Sequence, residues 1–260
     1  MHMKPIPRPL LEFGVLFLPS IPAYLWVWPN VSGAQEQAFQ VGVYLYFLAG
    51  ALWIGLRRWT LSQLGLNWKG LGLSLACGLA LLAGRLLVIF SVNWNQPAPP
   101  FNLARLGGEL LYYFGLVGLV EELLFRGLLY RILEEWGGLR WAIWGTSLGF
   151  VLWHVPGQGL LVGLAGLIFG LVFALLRWRA GGIAGLIVVH GLADITSVEL
   201  MPPLNYQQLG RPEITYPALL ILGYVLILLL PVYLWKIHPW VERRAGRTPA
   251  SGGKLRSSPP

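Results

Sequence analysis

Apolar residues run along this chain in eight nearly unbroken stretches, 10–28, 38–56, 71–91, 106–129, 141–155, 160–176, 183–198 and 216–235. A helix needs about 20 such residues to cross the hydrocarbon core of a bilayer. Most stretches approach that length; the fifth and seventh are short. None alternates apolar with polar positions, which excludes a transmembrane β-barrel. The pattern predicts an all-α fold, a polytopic transmembrane helical bundle of about eight spans. Residues 1–240 read as one domain, and 241–260, polar and rich in Gly, Pro and Ser, as a disordered basic cytoplasmic tail. No repeat of useful period is visible, which argues against an inverted-repeat transporter.

Composition agrees. The chain is 56% hydrophobic and 12% charged, against about 25% charged in a soluble domain, and its mean hydropathy is +0.62. A net charge of +8 invites a nucleic-acid reading. The basic residues are not gathered on a soluble face, however; they punctuate the apolar runs, so no nucleic-acid partner is expected. With the N-terminus inside, fifteen Lys and Arg fall in cytoplasmic segments and only Arg105 and Arg211 outside. That asymmetry predicts an integral, multi-pass protein with both termini cytoplasmic, in the cell membrane if the source is bacterial.

Smaller signals fit the same picture. The first run follows Lys4 and Arg8 like a signal peptide, but it is longer than the usual 7–15 apolar residues of such a leader and reads as a retained span. Asn30-Val31-Ser32 is a glycosylation sequon on the outer side. Trp26, Trp28, Trp59, Trp68, Trp94, Trp136, Trp141, Trp178, Trp235 and Trp240 fall near span ends, as in an aromatic belt. Gly159/Gly163, Gly166/Gly170 and Gly181/Gly185 are small-xxx-small pairs that let helices approach closely. Cys77, the single cysteine, reads as a small buried hydrophobe.

Against this apolar background the ionisable residues stand out. Glu121 and Glu122 lie inside the fourth run, with Arg126 four residues beyond the second acid. An ionisable group at membrane depth costs at least ~2.5 kcal/mol, so it is rare and is usually paired or functional. Glu122 and Arg126 share one helix face and can pair. Glu121 is turned about 100° away and is left free. The turn to the fifth run is Gly137-Gly138; Glu121 lies sixteen residues before it and His154 sixteen after it. In an antiparallel hairpin both then sit at one height, ~24 Å from the turn. Phe150 is one turn before His154 and can wall the site, and Pro156-Gly157 should break the helix beyond it. The seventh run adds His190 and Asp194, again four apart. Their bland reading is a local hydrogen bond. Four ionisable groups on three runs are hard to explain by packing alone. We therefore expect Glu121, His154 and His190 within about 8 Å of one another, in one cavity reached from the cytoplasmic side.

Three motifs in order, Glu121-Glu122-Leu123-Leu124-Phe125-Arg126, Phe150-Val151-Leu152-Trp153-His154 and His190-Gly191-Leu192-Ala193-Asp194, resemble those of the CPBP family. That group contains the CAAX prenyl endopeptidases and bacteriocin-processing or immunity proteins. The resemblance covers the motif core, about 106–198. One departure is Asp194, where the prenyl-protease branch has Asn. The resemblance implies an intramembrane endopeptidase acting on a membrane-associated or prenylated peptide. In its metal-free form Glu121 is the general base, His154 orients the water, and His190 with residue 194 stabilises the oxyanion. An ionised Asp194 would repel that oxyanion, so it must be protonated or must orient His190. In a metal form His154, His190 and Asp194 would ligate Zn²⁺, although no His-Glu-x-x-His helix is present. The cofactor is thus none or zinc. Competing classes are a non-proteolytic membrane scaffold or immunity protein that keeps the pocket, and a proton-coupled transporter. The second would need a ladder of ionisable groups to the outer face, and none is visible.

Overall fold

The computed structural model describes residues 5–93, 103–158, 160–200 and 213–239. Among these the chain forms eight helices, one for each apolar run. They are α1 (Arg8–Asn30), α2 (Ala34–Leu56), α3 (Leu71–Phe90), α4 (103–137), α5 (Leu139–Gln158), α6 (Leu160–Ala180), α7 (Ala184–Leu200) and α8 (Pro217–Ile237). The remaining regular structure is a two-residue antiparallel pair, β1 (Val92–Asn93) with β2 (Glu213–Ile214). The expected tail, together with Gly159, Arg211, Trp94 and Trp240, lies outside the described residues.

Four helices, α1, α2, α3 and α8, are long and apolar enough to cross a membrane, and α7 contains a shorter apolar stretch. Their outward surfaces carry large apolar side chains such as Leu11, Val15, Trp53, Leu79, Ile221 and Leu229. In water such a surface would drive aggregation; in a bilayer it faces acyl chains. The protein is a helical membrane protein.

Chain direction follows from a few local features. Pro7 and Pro9 open α1, where a missing N–H costs nothing. Pro19 and Pro22 disturb its middle, and the chain winds wide over Ala23–Val27. Gly138, at φ +83°, makes the reversal from α4 to α5. At the turn into α7 the Ile183 N–H donates to Gly65 O, 2.8 Å away. This docks the α2–α3 connection beneath the bundle and buries Leu64 completely.

Several expectations change. α5 runs on to Gln158, so Pro156 does not end it; it sits in the last turn, where the single hydrogen bond it removes leaves little helix to lose. α4 extends eight residues past its expected cytoplasmic limit, to Gly137. Trp59 is no belt residue: it is buried, and its indole N–H donates to Glu135 Oε1 at 2.7 Å. Gly181 packs against nothing and instead supplies a φ of +75°. Gly185 does pack closely, on Ser74 of α3, and Gly170 lies over Ser147 of α5.

Candidate active site

α4 passes through the middle of the bundle and carries the two glutamates in a short segment of ordinary α-helix. On either side, over Leu111–Gly118 and Leu123–Leu129, the helix winds wide, with i→i+5 hydrogen bonding. Such widening is common at functional positions, because it re-aims side chains and frees carbonyls. One such carbonyl, Arg126 O, accepts from Arg177 Nε at 2.9 Å.

The two glutamates have different surroundings. Glu122 is fully buried. Its Oε1 accepts from Arg126 Nη1 at 3.0 Å and from His190 Nδ1 at 2.7 Å. The Arg126 guanidinium is itself sandwiched by aromatic faces, 4.3 Å from the Phe150 ring centre and 5.3 Å from that of Phe173. Cation–π contact stands in there for lost hydration. Glu121 projects elsewhere. Its Oε1 accepts from the Tyr44 hydroxyl at 2.9 Å and from the Trp153 indole at 3.0 Å. Its Oε2 has no hydrogen-bond donor among the described residues and faces His190 Nε2 at 3.5 Å and His154 Nε2 at 3.7 Å.

Each imidazole is oriented by its other nitrogen. His154 Nδ1–H donates to the Phe150 carbonyl at 2.8 Å, with the Phe150 ring 4.3 Å away. His190 is fixed by Glu122, and its Nε2 lies 3.6 Å from Asp194 Oδ2. The separations of 3.5 and 3.7 Å leave room for a water that bridges Glu121 Oε2 to either Nε2.

Helix packing makes this convergence possible. The α4–α7 crossing is close at two glycines. A methyl group on Gly118 would lie 3.0 Å from Ile187 O, and one on Gly191 would lie 2.7 Å from the Phe114 ring. Between lipid-embedded helices, where no hydrophobic effect acts, such contact is a main source of association.

Glu121, His154, His190, Asp194, Tyr44 and Trp153 line a cavity of about 340 Å³ that also touches Trp28, Gln40, Tyr112 and Tyr113. Side-chain exposure rises along it from Glu121 (2%) through His190 (7%) and His154 (18%) to Asp194 (30%), while Glu122 lies behind it, fully buried. The cavity's further lining residues lie at the end of α1 (Trp28), early in α2 (Gln40) and before Glu121 on α4 (Tyr112).

Every residue singled out from the motifs, Glu121, Glu122, Arg126, Phe150, His154, His190 and Asp194, belongs to this one cluster. The zinc set does not close in the same way. Asp194 comes within ion-pair distance of His190 but not of His154, and among the described residues no group of three His, Cys, Asp or Glu is arranged to hold a metal ion. Tyr44 and Trp153 went unremarked in the sequence. Both sit mid-helix, where a buried phenol or indole needs a partner for its polar atom, and that was the available signal.

Fold and site together define a helical membrane protein with a buried glutamate–histidine centre. Residues 105–196 match the family described as type II CAAX prenyl endopeptidase Rce1-like, a protease family. The match supports the CPBP/CAAX-protease assignment suggested by the three motifs. No curated protein and no solved structure matches the chain.

Proposed function

We propose that the chain is an intramembrane endopeptidase of the CPBP/CAAX-protease type, crossing the membrane eight times with both termini in the cytoplasm. One observation carries the reading: the Glu121 carboxylate is pinned through one oxygen and offers the other to a polar cavity between two imidazoles. A structural ion pair needs no such arrangement. Glu122 already fills that role with Arg126.

In the proposed reaction Glu121 Oε2 takes a proton from a water while His154 Nε2 helps to orient it. The water oxygen bonds to the scissile carbonyl carbon, and charge moves to the carbonyl oxygen. His190 stabilises that oxyanion from Nε2–H, held in line because Nδ1–H donates to Glu122. Asp194, whose Oδ2 lies 3.6 Å from the same Nε2, helps to orient the ring. The C–N bond then breaks, and the proton held by Glu121 passes to the departing amine. No metal enters this scheme, because the proposed donor trio of His154, His190 and Asp194 does not converge. The substrate is a membrane-associated peptide, with a prenylated protein as one candidate.

The test is to incubate detergent-purified protein with a tagged library of membrane peptides. Cleavage by wild type and none by Glu121→Gln is expected. An equal product pattern from both would overturn the reading and leave a scaffold that keeps the pocket.

A further inference from the structure

The mechanism leaves one cation inside the bundle unused. α3 is apolar from Leu71 to Phe90 except for Arg85, its single charged residue. A charged side chain within such a helix is rare and is usually paired or functional. We propose that Arg85 is a positioning residue of the active site. Its guanidinium, anchored on Ala193 and Ser197 of α7, is the counter-charge of Asp194 and keeps that carboxylate from opposing the oxyanion. The effect on rate rests on the endopeptidase reading; the pairing of Arg85 with Asp194 does not.

Three observations carry the assignment. First, α3 and α7 lie side by side in register. Gly185 packs on Ser74, Val189 on Gly78, and Ala193 and Ser197 on Arg85. Gly78 and Arg85 are two turns apart and so share one face of α3. The seam thus carries the Arg85 side chain to the stretch of α7 just beyond His190. Second, the guanidinium is held there in one orientation. Nη1 donates to Ala193 O at 2.6 Å and Nη2 donates to Ser197 Oγ. Ser197 Oγ donates in turn to the same Ala193 O at 2.7 Å, which closes the ring. The Phe169 ring of α6, centred 5.9 Å from the guanidinium carbon, adds a cation–π contact. Third, Asp194 follows Ala193 directly and shares a helix face with Ser197, three residues on. Its carboxylate is within electrostatic reach of Arg85, as well as of His190, His154 and Glu121. Of these neighbours Arg85 alone is a permanent cation.

The consequence is electrostatic. Asp194 Oδ2 lies 3.6 Å from His190 Nε2, the atom assigned to the oxyanion. An uncompensated carboxylate there would repel the charge that develops on the scissile carbonyl oxygen. Arg85 offsets that repulsion while touching neither substrate nor water.

A double-mutant cycle on the full-length, detergent-purified chain tests the pairing. The variants are Arg85→Gln, Arg85→Lys and Asp194→Asn, with each Arg85 substitution also made in the Asp194→Asn background. The substrate is a tagged membrane peptide that wild type cleaves. Arg85→Gln is expected to lower kcat about ten- to a hundredfold with KM little changed. Arg85→Lys, which keeps the charge, should recover most of that loss. In the Asp194→Asn background Arg85→Gln should lower kcat by no more than about threefold, because no anion is left to neutralise. Equal losses in the two backgrounds, or equal losses from Arg85→Gln and Arg85→Lys, overturn the proposal and leave a hydrogen-bonded clamp.

Thermal unfolding makes the same comparison without catalysis. Arg85→Gln should lower Tm more in wild type than in the Asp194→Asn background, and equal drops overturn the pairing. Should Arg85→Gln fail to accumulate, its recovery in the Asp194→Asn background supports the pairing and its failure there overturns it. If wild type cleaves no peptide while the Tm difference is present, the endopeptidase reading falls and the pairing stands.

Discussion

His190 bonds Glu122 across the α4–α7 interface, with Nδ1 2.7 Å from Oε1, in preference to Asp194 on its own helix, whose Oδ2 is 3.6 Å from Nε2. Glu122 thereby joins Arg126 and His190 in one buried network, and the two adjacent acids of α4 divide their work. Glu122 holds the site together, and Glu121 faces the cavity.

That division predicts opposite outcomes for two conservative substitutions. Glu122→Gln leaves the fully buried Arg126 without its counter-charge, and breaking a buried pair in this way costs about 3–5 kcal/mol. Glu121→Gln removes a buried anion that has one undonated oxygen, so folding should be unchanged or slightly favoured. Thermal unfolding in detergent should show a clear drop in Tm for the first and none for the second, although both lose hydrolysis. Equal Tm values would contradict the assignment of roles.

Two donors fix Glu121 Oε1, and each should matter modestly. Tyr44→Phe and Trp153→Phe each remove one hydrogen bond to a charged group, worth about 1.5–3 kcal/mol. If that energy serves to aim Oε2 at the water, the rate of peptide cleavage should fall roughly ten- to a hundredfold, with little change in substrate affinity. A change confined to KM would show instead that the two side chains merely contact substrate.

Much of this site could be read from spacing. The equal distances of Glu121 and His154 from Gly137-Gly138 anticipate their meeting, and the structure has Glu121 Oε2 3.7 Å from His154 Nε2. The face shared by Glu122 and Arg126 anticipates their ion pair. What could not be read were contacts between helices far apart in the chain. Tyr44 reaches Glu121 across 77 positions and His190 reaches Glu122 across 68, and helical periodicity says nothing about which faces meet. The inward fold of the α2–α3 connection was hidden for a related reason. Its Thr60–Gly65 turn looks like any polar loop, yet it buries Leu64 completely. Pro156 misled because a proline in a final helical turn disrupts far less than one in the interior.

Close approach of α4 and α7 should be a condition of activity. Gly118→Ala sets a methyl group 3.0 Å from Ile187 O, backbone that cannot swing aside. The helices must separate by a few tenths of an ångström, at a cost of about 1–3 kcal/mol. That shift acts directly on the 2.7 Å bond between His190 and Glu122. Activity should therefore fall further than the drop in Tm alone accounts for. Gly115→Ala, on the same helix with open space beside it, is the control and should leave both unchanged.

The last prediction concerns metal. If hydrolysis used zinc held by His154, His190 and Asp194, loss of a ligand or its support would weaken metal binding ~10–100-fold, and a strong chelator would abolish turnover. The geometry favours the other outcome. Asp194 approaches His190 alone, and the free oxygen between the two imidazoles belongs to Glu121. Asp194→Asn keeps the shape and replaces a charge with a neutral amide able to donate to an oxyanion, so hydrolysis should persist or improve. Wild-type turnover should also survive prolonged chelation. The measurement is cleavage by both proteins with and without chelator, followed by zinc. Chelator-dependent loss that zinc restores, together with an inactive Asp194→Asn, would replace the carboxylate mechanism with a metal one.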